Sequence, residues 1–159
     1  MDKLLLFTDG SVNTNSHIGF GAYLAVSESE LLSDTLKARV KVKRFEQTSS
    51  TKLELQSLLW ALSDTQVSDR KVSVYTDSQN IISLAGRRAH LEENDYRSKN
   101  NKRLNNFELY RDFFKMIDEL DCEFVKVRGH RVSKQKDDID RLFTLVDRAS
   151  RNALRGENR

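Results

Sequence analysis

Four acidic residues occupy positions where a carboxylate is costly. Asp9 follows an unbroken apolar run, Leu4-Leu5-Leu6-Phe7, through Thr8, and Asp77 ends a second β-rich run, Lys71-Val72-Ser73-Val74-Tyr75-Thr76. Glu54 falls in the first turn of a leucine-rich helical pattern, and Asp147 follows Val146 one turn after Phe143. A carboxylate at the end of a buried strand is unfavourable unless something pairs with it or binds it. Converging carboxylates raise one another's pKa until a cation neutralises them. Hard oxygen donors suit Mg²⁺, with Mn²⁺ as a substitute. Two such ions ~3.5–4 Å apart activate water and stabilise the leaving oxygen of a phosphodiester.

Each acid also has a plain structural use. Asp9-Gly10 can be a turn, Glu54 a capping-box residue after Thr51, Asp77 the start of a turn, and Asp147 the i,i+4 partner of Arg151. Asp137, Asp138 and Asp140 compete with Asp147 for the fourth place; Asp147 is preferred because it borders an apolar helix face. His130, in a Gly-His step after the last strand, has the pKa range to move protons near neutrality. His17 and His90 have no comparable setting.

The elements that must position these groups are legible. The first run lacks alternation, as a strand buried on both faces does. Ligands of open α/β sheets gather at the carboxyl ends of such strands. If the two Asp-terminated strands are parallel neighbours, Asp9 and Asp77 emerge side by side. Gly19–Val26 reads as a second strand and Leu36–Phe45 as a third, giving an antiparallel meander. Leu53, Leu55, Leu58, Leu59 and Leu62 mark a helix opened by Thr48-Ser49-Ser50-Thr51. Ser78 caps another that ends at Gly86, and Asn105 caps an amphipathic helix through Leu109, Phe113, Met116, Ile117 and Leu120. Glu123–Val127 is a short last strand, and Ile139, Leu142, Phe143, Val146, Ala149 and Ala153 share one face of a final helix. The pattern predicts an α/β fold: a five-stranded mixed sheet, antiparallel meander plus parallel strands, flanked by helices.

The chain has 159 residues, 38% hydrophobic and 32% charged, so residues 1–159 are expected to form one globular domain. No apolar run approaches a bilayer span and no signal-peptide pattern opens the chain, so no membrane partner is expected. A single cysteine, Cys122, rules out an intrachain disulfide and fits a reducing cytoplasm. The net charge is only +3. Its distribution says more: Arg87-Arg88, Arg97 to Arg103 and Lys126 to Lys136 are basic clusters suited to a polyanion.

Together these residues make the chain resemble a type-one ribonuclease H. The matching segments are Thr8-Asp9-Gly10-Ser11 with Gly19-Phe20-Gly21, Thr51-Lys52-Leu53-Glu54-Leu55, Tyr75-Thr76-Asp77-Ser78-Gln79, Gly129-His130 and Val146-Asp147-Arg148-Ala149. The resemblance implies a four-carboxylate centre at Asp9, Glu54, Asp77 and Asp147, two divalent ions, and His130 as the loop histidine. It implies endonucleolytic hydrolysis of the RNA strand of an RNA–DNA hybrid, leaving 5′-phosphates. It places Gly10, Ser11, Asn13, Ser50, Thr51 and Gln79 beside the hybrid, with Ser50 and Thr51 where many members carry asparagines. Arg87, Arg88, Lys99, Lys102 and Arg103 occupy the place of the family's basic handle. A near-A-form hybrid is read by shape, phosphate and 2′-hydroxyl contacts. A monomer is expected. A non-catalytic binding module and a related carboxylate-metal nuclease acting on DNA are the competing readings; retention of all four acids counts against the first and the Gly-His-loop-helix ending against the second.

Overall fold

The computed structural model describes residues 3–65, 67, 69–127 and 137–157. Five strands form one sheet: β1 (Leu4–Asn13), β2 (Ile18–Ser27), β3 (Lys41–Phe45), β4 (Lys71–Thr76) and β5 (Asp121–Lys126). Their order is β3-β2-β1-β4-β5. The first three run antiparallel, while β4 and β5 run parallel to β1, which lies at the centre. The mixed sheet predicted from the hydrophobic runs is the one observed.

Side chains alternate across a strand, so β1 feeds two cores. Leu4 and Leu6 pack with Val72 and Val74 beneath α1 (Ser50–Asp64) and α4 (Phe107–Glu119). Leu5 and Phe7 face the other way, against Leu142, Phe143 and Val146 of α5 (Asp138–Glu157). Burial on both sides explains the uninterrupted apolar run. Phe7 stacks on Tyr75 of the neighbouring strand, centroids 4.9 Å apart.

Helix α1 sits unusually close to the sheet, which glycines permit. A Cβ at Gly10 would lie 2.9 Å from Leu53 Cδ2, and one at Gly21 would lie 2.9 Å from Ser57 Cβ. Both approaches are closer than packed carbons tolerate. This seating brings the first turns of α1 to the end of β1.

Several boundaries differ from those read off the sequence. The third strand is confined to Lys41–Phe45, and Leu36–Arg39 form a 3₁₀ turn instead. Leu36 is buried against the second core and draws the chain off the sheet edge there, so the alternation around Ala38 and Val40 has no strand to serve. The last strand begins at Asp121, two residues earlier than predicted. Gly86 does not end a helix path. After α2 (Gln79–Leu84), a 3₁₀ turn carries the chain into α3 (Arg88–Glu93), with Leu84 and Leu91 both buried. Asn106, one residue after the expected Asn105, stands at the start of α4 without a side-chain cap. No helix among the described residues is long and apolar enough to cross a membrane.

Candidate active site

The ladder between β1 and β4 fixes the first two acids. Leu4 pairs with Val72 and Phe7 with Tyr75, and each Asp lies two residues beyond that last pair. Asp9 continues the parity of Leu5 and Phe7, and Asp77 that of Tyr75, so both point toward α5. Asp147 stands halfway along α5, and its carboxyl meets that of Asp9 in hydrogen-bonding contact. Burial, this contact and the nearby Asp77 charge push the Asp9 carboxyl up to about 8. Asp77 is also raised, first by burial and then by the charge of Asp147, with Arg151 and Lys126 acting in the opposite sense.

Glu54 arrives from the opposite side on α1. The predicted capping box does not form: Ser49 is the N-cap, accepting from the Lys52 amide at 3.3 Å. Glu54 therefore lies beyond the first turn, where it cannot reach back to the cap. Its carboxylate instead accepts from the Ser78 hydroxyl at 2.7 Å, and that hydroxyl oxygen accepts from the Ile81 amide at 3.2 Å to cap α2. Burial raises the Glu54 carboxyl, the Ser78 bond lowers it, and the charge of Asp77 raises it. Ser78 thus ties the helix-borne acid to the residue after Asp77.

The remaining acids near α5 have other uses. Asp137 accepts from the Asp140 amide at 2.9 Å, Asp140 is buried in the first turn, and Asp138 pairs with Arg141. Asp147 is bound by Arg151 at 3.0 Å while touching Asp9, so both its structural use and its place among the acids are realised.

The donor set fits a hard divalent cation: clustered carboxylate oxygens, half-buried, with no thiol or imidazole among the described groups at that point. The described acids are not closed into a ligand shell of three or more. Two of them are held back, Glu54 by Ser78 and Asp147 by Arg151. Each of these bonds engages a single carboxylate oxygen, so Glu54 Oε1 and Asp147 Oδ2 remain available as donors.

The proposed substrate-contacting residues are spread over several surfaces. Ser11 shares a 3.1 Å hydroxyl contact with buried Ser150, whose hydroxyl also donates to the Asp147 carbonyl at 3.0 Å. Asn13 accepts from the amides of Asn15 and Ser16 and shapes the β1–β2 turn. Ser50 and Thr51 are exposed on the first turn of α1. Gln79 accepts from Lys126 Nζ at 2.8 Å, beside Asp77.

In the basic stretch, Arg87 donates to Asn80, Arg88 is bound to Asp118 and to Glu92, and Arg103 donates to Asp95 at 2.9 Å. A bridge between Arg97 and Arg103 closes a small loop that leaves Lys99 and Lys102 exposed. Thus Arg88 and Arg103 hold the α3–α4 region together, and Lys99 and Lys102 present its charge. His130 lies outside the described residues. Two groups at the site escaped sequence reasoning, Ser150 and Lys126 as the partner of Gln79. The i+3 spacing from Asp147 to Ser150 was the available signal for the first.

The sequence of residues 1–147 matches the family model described as RNase H. A ribonuclease H of Clostridium botulinum is 25% identical over 145 residues, covering 89% of this chain and 93% of that protein. Among solved structures, the PFV RNase H domain superposes with a TM-score of 0.72 at 14% identity, covering 94% of this chain and 92% of the domain. A foamy viral protease–reverse transcriptase in complex with double-stranded DNA superposes with a TM-score of 0.63 at 11% identity, covering 93% of this chain and 92% of that one. On the extent of the family match, this chain belongs to the RNase H family.

Proposed function

We propose that the chain is a divalent-metal-dependent endoribonuclease that hydrolyses the RNA strand of RNA–DNA hybrids and leaves 5′-phosphate ends. The observation that carries this reading is the meeting of Asp9, Asp77 and Asp147 just past the last β1–β4 pair, with Glu54 held alongside by Ser78. Two bound Mg²⁺ ions, or Mn²⁺ in their place, would supply an activated water and neutralise charge on the scissile phosphate.

In this reading Asp9 and Asp77 are the fixed donors, because strand backbone places them. Glu54 and Asp147 complete the set through the oxygens that Ser78 and Arg151 do not engage. Lys126, beside Asp77 and Gln79, offers a cation to the substrate backbone. The Gly10–Ser11 segment and the exposed hydroxyls of Ser50 and Thr51 face the groove side, where 2′-hydroxyls distinguish RNA from DNA. Lys99 and Lys102 would attract the duplex from farther away. His130 retains the proposed role of carrying a proton near neutral pH. The reading extends to a monomeric domain acting in the cytoplasm.

The test offers labelled RNA–DNA hybrid, double-stranded RNA and double-stranded DNA with Mg²⁺, with Asp77→Asn as the control. Cleavage restricted to the RNA of the hybrid, leaving 5′-phosphates and abolished by the substitution, is the expected result. Binding without cleavage, or cleavage of duplex DNA, would overturn the reading.

A further inference from the structure

Beyond Asp147, helix α5 continues for ten more residues to Glu157, past the end of the segment matched by the family model. Residues four apart on a helix lie one above the other, so Asp147, Arg151 and Arg155 form a single ridge. Two of these, Arg151 and Arg155, line a cavity of about 430 Å³ with Gly10, Ser11, Val12 and Ser50. Its lining residues neighbour two of the acids, Gly10 following Asp9 on β1 and Arg151 pairing with Asp147 on α5.

Its guanidinium groups are placed differently from those of Arg88 and Arg103. Arg88 and Arg103 are already bound to carboxylates, whereas among the described residues Arg155 makes a long 3.4 Å bond to the neutral Asn152 side chain and meets no carboxylate. Arg151 meets Asp147 Oδ1 through its Nε at 3.0 Å, a contact that does not use the terminal nitrogens of its guanidinium. Arg151 can therefore stay paired with Asp147 and still present terminal N–H groups to the same cavity. Guanidinium groups match phosphate geometry through paired N–H donors. The exposed Ser50 hydroxyl adds a donor on the opposite wall.

We propose that Arg151 and Arg155 hold backbone phosphates of the strand being cut, in the cavity between the end of β1 and the last turns of α5. The inference rests on the ribonuclease reading and assigns a phosphate site to that reading's substrate. At 1.5 Å rise per residue, the two arginines lie about 6 and 12 Å along the helix from Asp147, within reach of phosphates flanking the one attacked. Arg155 acts on binding and has no contact with the reacting atoms.

The experiment measures binding of labelled RNA–DNA hybrid to the full chain carrying Asp77→Asn, across a salt titration in Mg²⁺. Adding Arg155→Gln should weaken binding about 3–10-fold and reduce the salt slope by about one phosphate contact; Arg151→Gln with it should remove about two. Arg155→Lys should keep most of the slope because the charge remains. Arg141→Gln, on the same helix but outside the cavity, should change neither. With the acids intact, Arg155→Gln should raise KM and leave kcat near its parent value. Thermal melts of each variant separate loss of binding from loss of fold. Parent affinity and slope in folded Arg155→Gln would overturn the inference while leaving the ribonuclease reading standing. If the Asp77→Asn protein itself ignores the hybrid, the ribonuclease reading fails and takes the inference with it.

Discussion

Replacing Asp9 by asparagine should make the metal-free protein more stable at neutral pH, although Asp9 is placed at the centre of its chemistry. The Asp9 carboxyl is held at about 8 in the folded chain, against 3.8 for an ordinary aspartate. The folded state therefore keeps a proton that the unfolded chain releases. Below pH ~4 both states hold it, and the group contributes its full stability. As pH rises from about 4 to about 8 that stability is lost, and above this range the difference levels off. Complete linkage at pH 7 would amount to ~4 kcal/mol. Water at the open rim screens part of it, so we expect ~1–3 kcal/mol in favour of Asp9→Asn. For a chain of this length each kcal/mol moves Tm by about 2–4 °C. Thermal melts with chelator between pH 4 and 9 should show the two curves close at the acid end and separating toward pH 8. Mg²⁺ should then raise the Tm of the parent more than that of the variant, because ligand bound only to the folded state stabilises it. Equal melting of parent and variant across the whole pH range would refute the electrostatic argument.

Other substitutions probe the supports of the site. Ser78→Ala removes both the cap of α2 and the hydroxyl that holds Glu54; urea melts should show a loss of about 1–2 kcal/mol. Gly21→Ala would drive a Cβ against Ser57 and lift α1, costing about 1–3 kcal/mol and lowering hybrid cleavage; unchanged stability would mean the helix can shift freely. Burial pushes the Cys122 thiol up to about 11, so thiol reagents should leave it intact at pH 7–8 in the native protein and label it in urea. Phe143→Ala should destabilise by about 3–5 kcal/mol, because the ring is buried between α5 and β1 on the face carrying Asp9 and Asp147.

What could be read in advance follows the strength of the local signal. The β1 run was unambiguous because a strand buried on both faces leaves no polar residue in Leu4–Phe7. Asp77 followed directly because it ends a run; Asp9 was read as ending its strand, yet β1 continues through Asn13 because β2 pairs with it beyond the point where the β4 ladder stops. Helix α5 was equally clear from its apolar face. The Leu36–Arg39 turn was hidden because Leu36 is drawn into a core built by α5, a contact no local window contains. The Glu54 cap failed for a related reason. Thr51 and Glu54 have the right spacing, but Ser49 starts the helix earlier, and the long-range bond to Ser78 decides where the carboxylate goes. Ion pairing in the basic stretch was equally invisible, because Arg88 finds Asp118 thirty positions away. Spacing along the chain reports neighbours in one element, and the differences arise where a partner comes from another.

The in-register pairing of β1 with β4 has a consequence for how this centre can vary. Adjacent strands are held about 4.8 Å apart by their amide ladder, whatever side chains they carry. Each acid lies two residues past the last rung of that ladder, so the ladder's end sets where their main chain emerges, like the fixed jaw of a caliper. Glu54 and Asp147, riding on separate helices, are the adjustable jaws. Adaptation to a larger or smaller cation would therefore be achieved by repacking α1 or α5, with the strands untouched.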